Sequence, residues 1–414
     1  MKKNCIVAQS GGPTAAINAS LAGVIAATRD CKNYHKLYGA IHGIQGVLKE
    51  DFLDLTNKDD EFIDRLIKTP AMYLGSCRCK LPDISEELCI YKTIFKIFEK
   101  FNIGSFFYIG GNDSMDTVDK LSCYADLIHS DIQIIGIPKT IDNDLLITDH
   151  TPGFGSAAKY VANTVKEIAY DTYIYDIESV TIVEVMGRDA GWLTASSVLA
   201  RTDYSLAPHM IYLPEVAFEK EQFICNLQLL VKKYKNVIVV VSEGIRDCNG
   251  CYISSAKATN DKFGHVQLSG AGKTLEYLVK EKLGIKVRSI EINVLQRCAS
   301  HLASSRDLEE SYALGQKAVS IAQKGENGKM VIIKRMASTP YSYMIDTIPV
   351  SEVANQIKSV PLSWITDNHY DVTSEMIDYL QPLVSGKISD VFENGIVNYL
   401  DLSHLVHKRS TVNI

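Results

Sequence analysis

Twice in the early part of the chain a short apolar run ends in paired glycines and gives way to helical spacing, and this grammar leaves few folds open. Ile6-Val7-Ala8 leads into Ser10-Gly11-Gly12-Pro13 and a small-residue helix expected over 14–28, and Phe106-Phe107-Tyr108-Ile109 leads into Gly110-Gly111-Asn112-Asp113-Ser114 and a helix expected over 115–125. Runs apolar at consecutive positions are strands buried on both faces, which is the condition of a parallel sheet covered by helices. Glycines at the junction let backbone N–H groups approach a phosphate, and the helix N-terminus adds partial positive charge.

The rest of the first half continues the alternation, with strands expected at 4–9, 36–40, 105–109 and 132–137 and a helix at 86–101. The pattern then restarts. Helices are expected at 154–169, 190–201 and 220–234, and strands at 179–185, 210–213 and 237–241. A helix follows Gly270 to 283, 287–297 is mixed, a helix covers 308–323, a short strand covers 331–334, and the remainder to 414 carries no legible chemistry. Alternation of this kind implies parallel strands joined by right-handed crossovers. With 414 residues, 46% of them hydrophobic, the chain can bury more than one core. The fold class is therefore α/β, with two Rossmann-like parallel-sheet domains and a cleft between them.

The run 132–137 stops at Pro138 and is followed at once by Lys139-Thr140-Ile141-Asp142-Asn143-Asp144. Acceptor-rich side chains at the end of a buried strand suit a site that holds a metal–phosphate complex and takes a proton. The same residues also favour an ordinary solvated turn. Ser269-Gly270-Ala271-Gly272-Lys273-Thr274 imitates the end of a P-loop, but Gln267 occupies the place of its first glycine and no buried strand precedes it, so this reading is rejected.

The formal charge of −6 offers no broad basic field, which argues against a nucleic-acid partner. No apolar stretch reaches the ~18 residues of a membrane span, and the brief run after Met1-Lys2-Lys3 is too short for a signal core. A cytoplasmic chain with reduced thiols is expected. Cys77-Arg78-Cys79 and Cys248-Asn249-Gly250-Cys251 lack the four spaced ligands of a zinc site.

SGGP, GGNDS, PKTIDND, MGRDAGW and SEG follow one another in the order and rough spacing of the phosphofructokinases, which the chain resembles from residue 1 to about 318. Asp113 and Lys139, where ATP-dependent relatives have glycine, resemble the pyrophosphate-dependent branch. The resemblance implies Mg2+ as cofactor, with pyrophosphate and fructose 6-phosphate as substrates. Asp142 would be the base, with Thr140 and Arg188 beside it. Gly11, Gly12, Arg78, Gly111, Asp113, Ser114 and Lys139 would face the donor. Asp144, Met186, Gly187, Glu243, Arg288 and Arg297 would join Thr140, Asp142 and Arg188 around the sugar phosphate. Asn112, Asp113 and Asp144 would stand nearest the metal. Residues 1–152, completed by 297–345, would bind the donor, and 153–296, completed by 346–414, the sugar phosphate.

Three positions depart from the family pattern. Asn112 replaces a metal-associated aspartate, Ser179 an arginine that reaches a neighbouring subunit, and Val294 a histidine or tyrosine. An ATP-dependent enzyme and a non-catalytic sugar-phosphate-binding subunit remain alternatives, although a protein that only binds has no need of Asp142. Arg188 has a blander reading, an arginine paired with Asp189. The residue matching Arg288 reaches another subunit in relatives, so a homodimer or homotetramer is expected.

Overall fold

The runs that are apolar at consecutive positions become the central strands of two sheets. In chain order the sheet strands are β1 (Lys3–Gln9), β2 (Tyr34–Ala40), β3 (Phe52–Asp54), β4 (Ile103–Gly110), β5 (Gln133–Pro138), β6 (Ser179–Val185), β7 (Met210–Tyr212), β8 (Asn236–Ser242), β9 (Lys286–Glu291), β10 (Lys329–Ser338) and β11 (Tyr341–Pro349). The computed structural model describes residues 2–77, 79–254, 270–388 and 391–406. Arg78 and Ser269 lie outside the described residues.

The first sheet has the order β11-β10-β5-β4-β1-β2-β3 and the second β7-β8-β6-β9. The second is parallel throughout. The first is parallel from β2 to β10 but mixed at its rims, where β3 runs antiparallel to β2 and β11 antiparallel to β10. Of the β10–β11 hairpin, the sequence discloses only 331–334. Met330–Ile333 are buried, whereas the rest of both strands is half-buried or exposed apart from Ile348 and carries no continuous apolar signal.

Successive side chains on a strand face opposite ways, so each apolar run supplies two cores. Ile6 and Phe106 pack with Phe98 and Met115 on one face of the first sheet, while Val7 and Phe107 pack with Ile17 and Leu314 on the other. The second sheet is likewise covered on both faces. Val183 and Val185 meet Phe154 and Trp192, and Ile182 and Val239 meet Phe223 and Leu275. The chain re-crosses both units late. Helix Ser305–Gln323 and the hairpin join the first sheet, carrying it to Pro349 and so past the expected break at 345, whereas Val360, Met376 and Tyr379 pack with the second.

The helices expected from 86, 115 and 308 begin at Leu88, Asn112 and Ser305, and two more begin differently for visible reasons. Thr14 is not helical; its Oγ1 accepts the N–H groups of Ala16 (3.2 Å) and Ile17 (2.9 Å), so the helix runs Ile17–Arg29. The expected helix 190–201 is a short one, Trp192–Ser196, that tightens into a 3-10 turn at Ser197–Ala200. The N–H of Gly191 is taken by Glu215 Oε1 at 2.8 Å, which fixes its start.

Helices Ile17–Arg29 and Ser305–Gln323 cross with their backbones in contact. A Cβ at Gly23 would lie 2.1 Å from Tyr312 O, and one at Gly315 would lie 2.1 Å from Ser20 O. Both obstacles are backbone, so relief requires the helices to part. Gly315→Ala is expected to cost about 1–3 kcal/mol or more, read as a lowered thermal midpoint. An unchanged midpoint would contradict this account of the crossing.

Candidate active site

Strands β1 and β4 are neighbours, and the sheet continues from them in opposite directions. The crevice outside the carboxyl ends of such a pair is where open α/β sheets take ligands. Gln9 pairs with Ile109, and Ser10 N–H donates to Ile109 O at 2.9 Å, so the two Gly-Gly turns lie side by side. The Ser10 and Ser114 hydroxyls join them at 2.6 Å. Gly11 has φ +81°, and a Cβ there would stand 3.0 Å from Lys139 Nζ; one at Gly12 would stand 3.6 Å from Arg297 Nη1. A flexible glycine turn thus faces an ammonium and a guanidinium. Asp113 lies exposed in the first turn of helix Asn112–Leu127, which starts directly from Gly111.

The acidic loop enters this crevice because β5 is in register with β4. Gly110 pairs with Pro138, and Lys139 N–H donates to Gly110 O at 2.9 Å. Thr140 N–H reaches Pro152 O at 3.2 Å, and Thr140 Oγ1 accepts the N–H of Asp142 at 3.1 Å. Asn143 is fully buried in the left-handed region, φ 55°. Its side chain knits the loop together, donating to Tyr379 OH (2.8 Å) and accepting from Thr151 N–H (3.2 Å) and Lys358 Nζ (3.2 Å). The plain-turn reading does not account for so much buried structure around Asp142.

Charges dominate the floor of the cleft. Burial lowers the Lys139 ammonium to about 8, while Asp142 and Asp144 pull it back up. Burial raises the Asp142 carboxyl, and Lys139 and Arg188 oppose that rise. Asp144 is pushed up to about 7 by burial and then by the Asp142 carboxylate. Its Oδ1 is buried without a hydrogen-bond partner. From the second sheet, Gly187 N–H donates to Glu243 Oε1 at 3.3 Å, and burial raises Glu243 to about 7. Glu243 N–H bonds Val185 O at 2.9 Å, so Met186-Gly187-Arg188 and Glu243 leave adjacent strand ends. Asp189 pairs with Arg246 at 2.6 Å. Arg188 therefore does not need Asp189 as its partner, and its field reaches both Asp142 and Glu243.

Not every expected residue joins this group. Arg288, on the edge strand β9, pairs with Asp171 at 2.8 Å and donates to Thr181 Oγ1 at 3.3 Å. Ser179 is buried and accepts from Asn236 Nδ2 at 3.0 Å, leaving no group there to reach outward. Arg297 stands beside Gly12 on the first sheet's side. The Asn112 amide is occupied, accepting from Asn355 N–H (2.6 Å) and donating to Gln356 O (2.8 Å). Among the described residues, no group of three or more His, Cys, Asp or Glu side chains is placed to hold a metal. All ten cysteines are free thiols.

Residues the sequence did not disclose support the loop from behind. Lys358 Nζ donates to Thr148 O (3.1 Å) and Asp149 O (2.9 Å) as well as to Asn143, and Tyr379 OH donates to Asp149 O at 2.7 Å. His150 is held between Asp149 Oδ2 (2.7 Å) and Glu310 Oε2 (2.6 Å). Arg335 pairs with Asp149 at 3.0 Å, and Tyr341 OH donates to Glu310 Oε1 at 2.7 Å. Asp149 and His150 belong to the same connection as the acidic loop, but Glu310, Arg335, Tyr341, Lys358 and Tyr379 lie far away in sequence, where no local spacing connects them with it.

Comparison with known proteins gives a consistent result. Residues 4–322 match the family profile described as "Phosphofructokinase". The pyrophosphate--fructose 6-phosphate 1-phosphotransferase of Halomonas elongata is 40% identical over 98% of each chain. The protein of the same name from Xanthomonas campestris is 39% identical over 97% of this chain and 96% of its own. The crystal structure of a pyrophosphate-dependent phosphofructokinase from Marinobacter aquaeolei superposes with a TM-score of 0.86 at 39% identity, covering 96% of this chain and 95% of that one.

The buried histidine yields a pH prediction. Burial disfavours the His150 imidazolium, but the Glu310 and Asp149 carboxylates outweigh that effect and raise its pKa from 6.5 to about 9. A raised pKa means stability that is fully present below the unfolded value and lost as pH climbs through the folded one. The expected loss between pH 6.5 and about 9 is on the order of 3 kcal/mol. Denaturant midpoints across that window should fall in the parent and flatten in His150→Gln; parallel profiles would refute the assignment.

Proposed function

The chain belongs to the phosphofructokinase family, and on that premise we propose that its cleft transfers a phosphoryl group reversibly from pyrophosphate to the 1-hydroxyl of fructose 6-phosphate, giving fructose 1,6-bisphosphate and phosphate. The observation that carries this reading is the buried Lys139 ammonium, set over the Gly11 turn and flanked electrostatically by Asp142, Asp144 and Arg297. Phosphoryl transfer asks for positioning and charge stabilisation. Lys139 and Arg297 meet pyrophosphate at the paired glycines. Asp142 takes the proton of the 1-hydroxyl as its oxygen attacks the phosphoryl phosphorus, the bond to the departing phosphate breaks, and Arg188 offsets the charge on the transferring group. Glu243 accepts from sugar hydroxyls.

The donor set fits one divalent cation, for which Mg2+ is the natural candidate, because that ion prefers few carboxylates together with phosphate oxygens. The unpartnered Oδ1 of Asp144 suits it, and Asp113 lies beside the same turn; the occupied amide of Asn112 does not. Bound there, the metal would supply charge neutralisation on pyrophosphate. Donor binding then belongs to residues 1–152 with the late helix and hairpin, and sugar-phosphate binding to 153–296 with the C-terminal stretch.

Donor choice follows from two side chains. The Asp113 carboxylate disfavours the α-phosphate of ATP by bulk and like charge, while Lys139 favours small, densely charged pyrophosphate. Free thiols throughout and a lack of any described helix long and apolar enough to cross a membrane are compatible with a cytoplasmic enzyme. A homo-oligomer accounts for Arg288, which lies outside its own chain's cleft on an exposed sheet edge, near the exposed Tyr170, Tyr173 and Ile174. Sedimentation as a monomer under assay conditions would remove that assignment.

An assay of fructose 1,6-bisphosphate formation with each donor tests the reading. Turnover is expected with pyrophosphate, and Asp142→Ser should lower it about 10²–10⁴-fold without unfolding the protein. Asp113→Gly should admit ATP measurably, whereas Lys139→Gly should damage pyrophosphate turnover without creating ATP activity. Robust ATP-dependent turnover of the parent with none from pyrophosphate would overturn the donor assignment.

A further inference from the structure

One short segment in the region that carried no legible chemistry touches all three catalytic stretches. Residues 355–360 leave the first sheet after β11 and run to the second unit across the back of the cleft. Asn355 and Gln356 grip the Asn112 amide at the donor turn. Lys358 N–H donates to Asp144 O at 2.8 Å in the acidic loop. Lys358 O accepts the indole N–H of Trp192 at 2.9 Å, four residues beyond Arg188. Val360 N–H and Gly191 N–H share Glu215 Oε1 at 2.9 and 2.8 Å.

Most of this segment is exposed, yet the one charged side chain it carries is directed inward. An ammonium has three N–H donors. The three acceptors around Lys358 Nζ, namely Asn143 Oδ1, Thr148 O and Asp149 O, all belong to the loop that presents Asp142. A buried cation whose hydrogen bonds all go to backbone and amide oxygens of one loop fixes the shape of that loop, and its field also opposes the rise of the Asp144 carboxyl. We propose that residues 355–360 form a strap that sets the donor turn, the Asp142 loop and the Arg188 segment relative to one another, and that Lys358 is its positioning residue. This inference rests on the phosphotransferase reading above, since it concerns the geometry of that reaction.

The strap makes no contact with the reacting atoms, so its loss should act on the transition-state arrangement more than on ground-state binding. A displacement of about 1 Å in such a site costs up to about 10²-fold in rate. The test measures kcat and both KM values, with pyrophosphate and fructose 6-phosphate, for Lys358→Met, Lys358→Arg and Trp192→Phe, each checked for folding by near-ultraviolet circular dichroism. Lys358→Met is expected to lower kcat about 10–100-fold with both KM values within about threefold of the parent, the signature of an interaction that matters only in the transition state. Lys358→Arg should recover part of that loss. Trp192→Phe, which removes the indole hydrogen bond and reduces the ring that faces Lys358 Nζ while leaving the three ammonium acceptors in place, should lower kcat about threefold or more with the same KM pattern, and it decides the matter alone if Lys358→Met does not fold. Unchanged kcat in the folded variants, or a KM rise matching the kcat loss, would overturn the proposal. An inactive parent would instead defeat the phosphotransferase reading, so the two failures are distinct.

Discussion

Burying an ammonium in a protein is unfavourable unless opposite charge and hydrogen-bond acceptors surround it, and this molecule buries two of them against the loop that carries its proposed base. Lys139 is offset by Asp142 and Asp144, and Lys358 by backbone oxygens with Asp149 and Asp144 beyond them. The carboxylates are in turn kept from neutralising fully by those same cations. No member of the set can be removed without stranding another. The sheets, the glycine turns and the strap can be understood as what is required to hold these charges at fixed separations.

The scaffold reaches that end by stacking strand ends. Because β1, β4 and β5 run parallel and adjacent, their following loops must emerge together, and the second sheet does the same for Arg188 and Glu243 through β6 and β8. Parallel order thus converts stretches distant in sequence into neighbours.

How much of this was legible in sequence depends on how far the interaction partners lie apart. Apolar runs such as Phe106–Ile109 and glycine pairs such as Gly110-Gly111 signal locally, so most of the parallel strands, the paired-glycine turns and the acidic loop could be read directly, whereas the half-buried edge strand β9 was left within a mixed stretch. The hairpin β10–β11 was largely missed because only Met330–Ile333 face a core on consecutive positions. Arg297 was expected around the sugar phosphate, whereas its place beside Gly12 follows from the crossing of the chain between units. Lys358 lies in a polar stretch, and its partners are more than two hundred residues upstream. Nothing within a helical or strand period of it hints at a role.

The late strands also impose an order on biosynthesis. A nascent chain that has been translated as far as β9 already contains the parallel strands β1, β2, β4 and β5, but β5 still lacks β10 and leaves an unpaired edge. Helix Ile17–Arg29 at that stage also lacks the partner that fills the groove at Gly23. The ribosome must therefore deliver more than three hundred residues before β10 can cover that edge, and during that interval the apolar edge of β5 is available to other chains. Chaperone dependence in this protein would originate in chain connectivity, independently of how stable the finished molecule is.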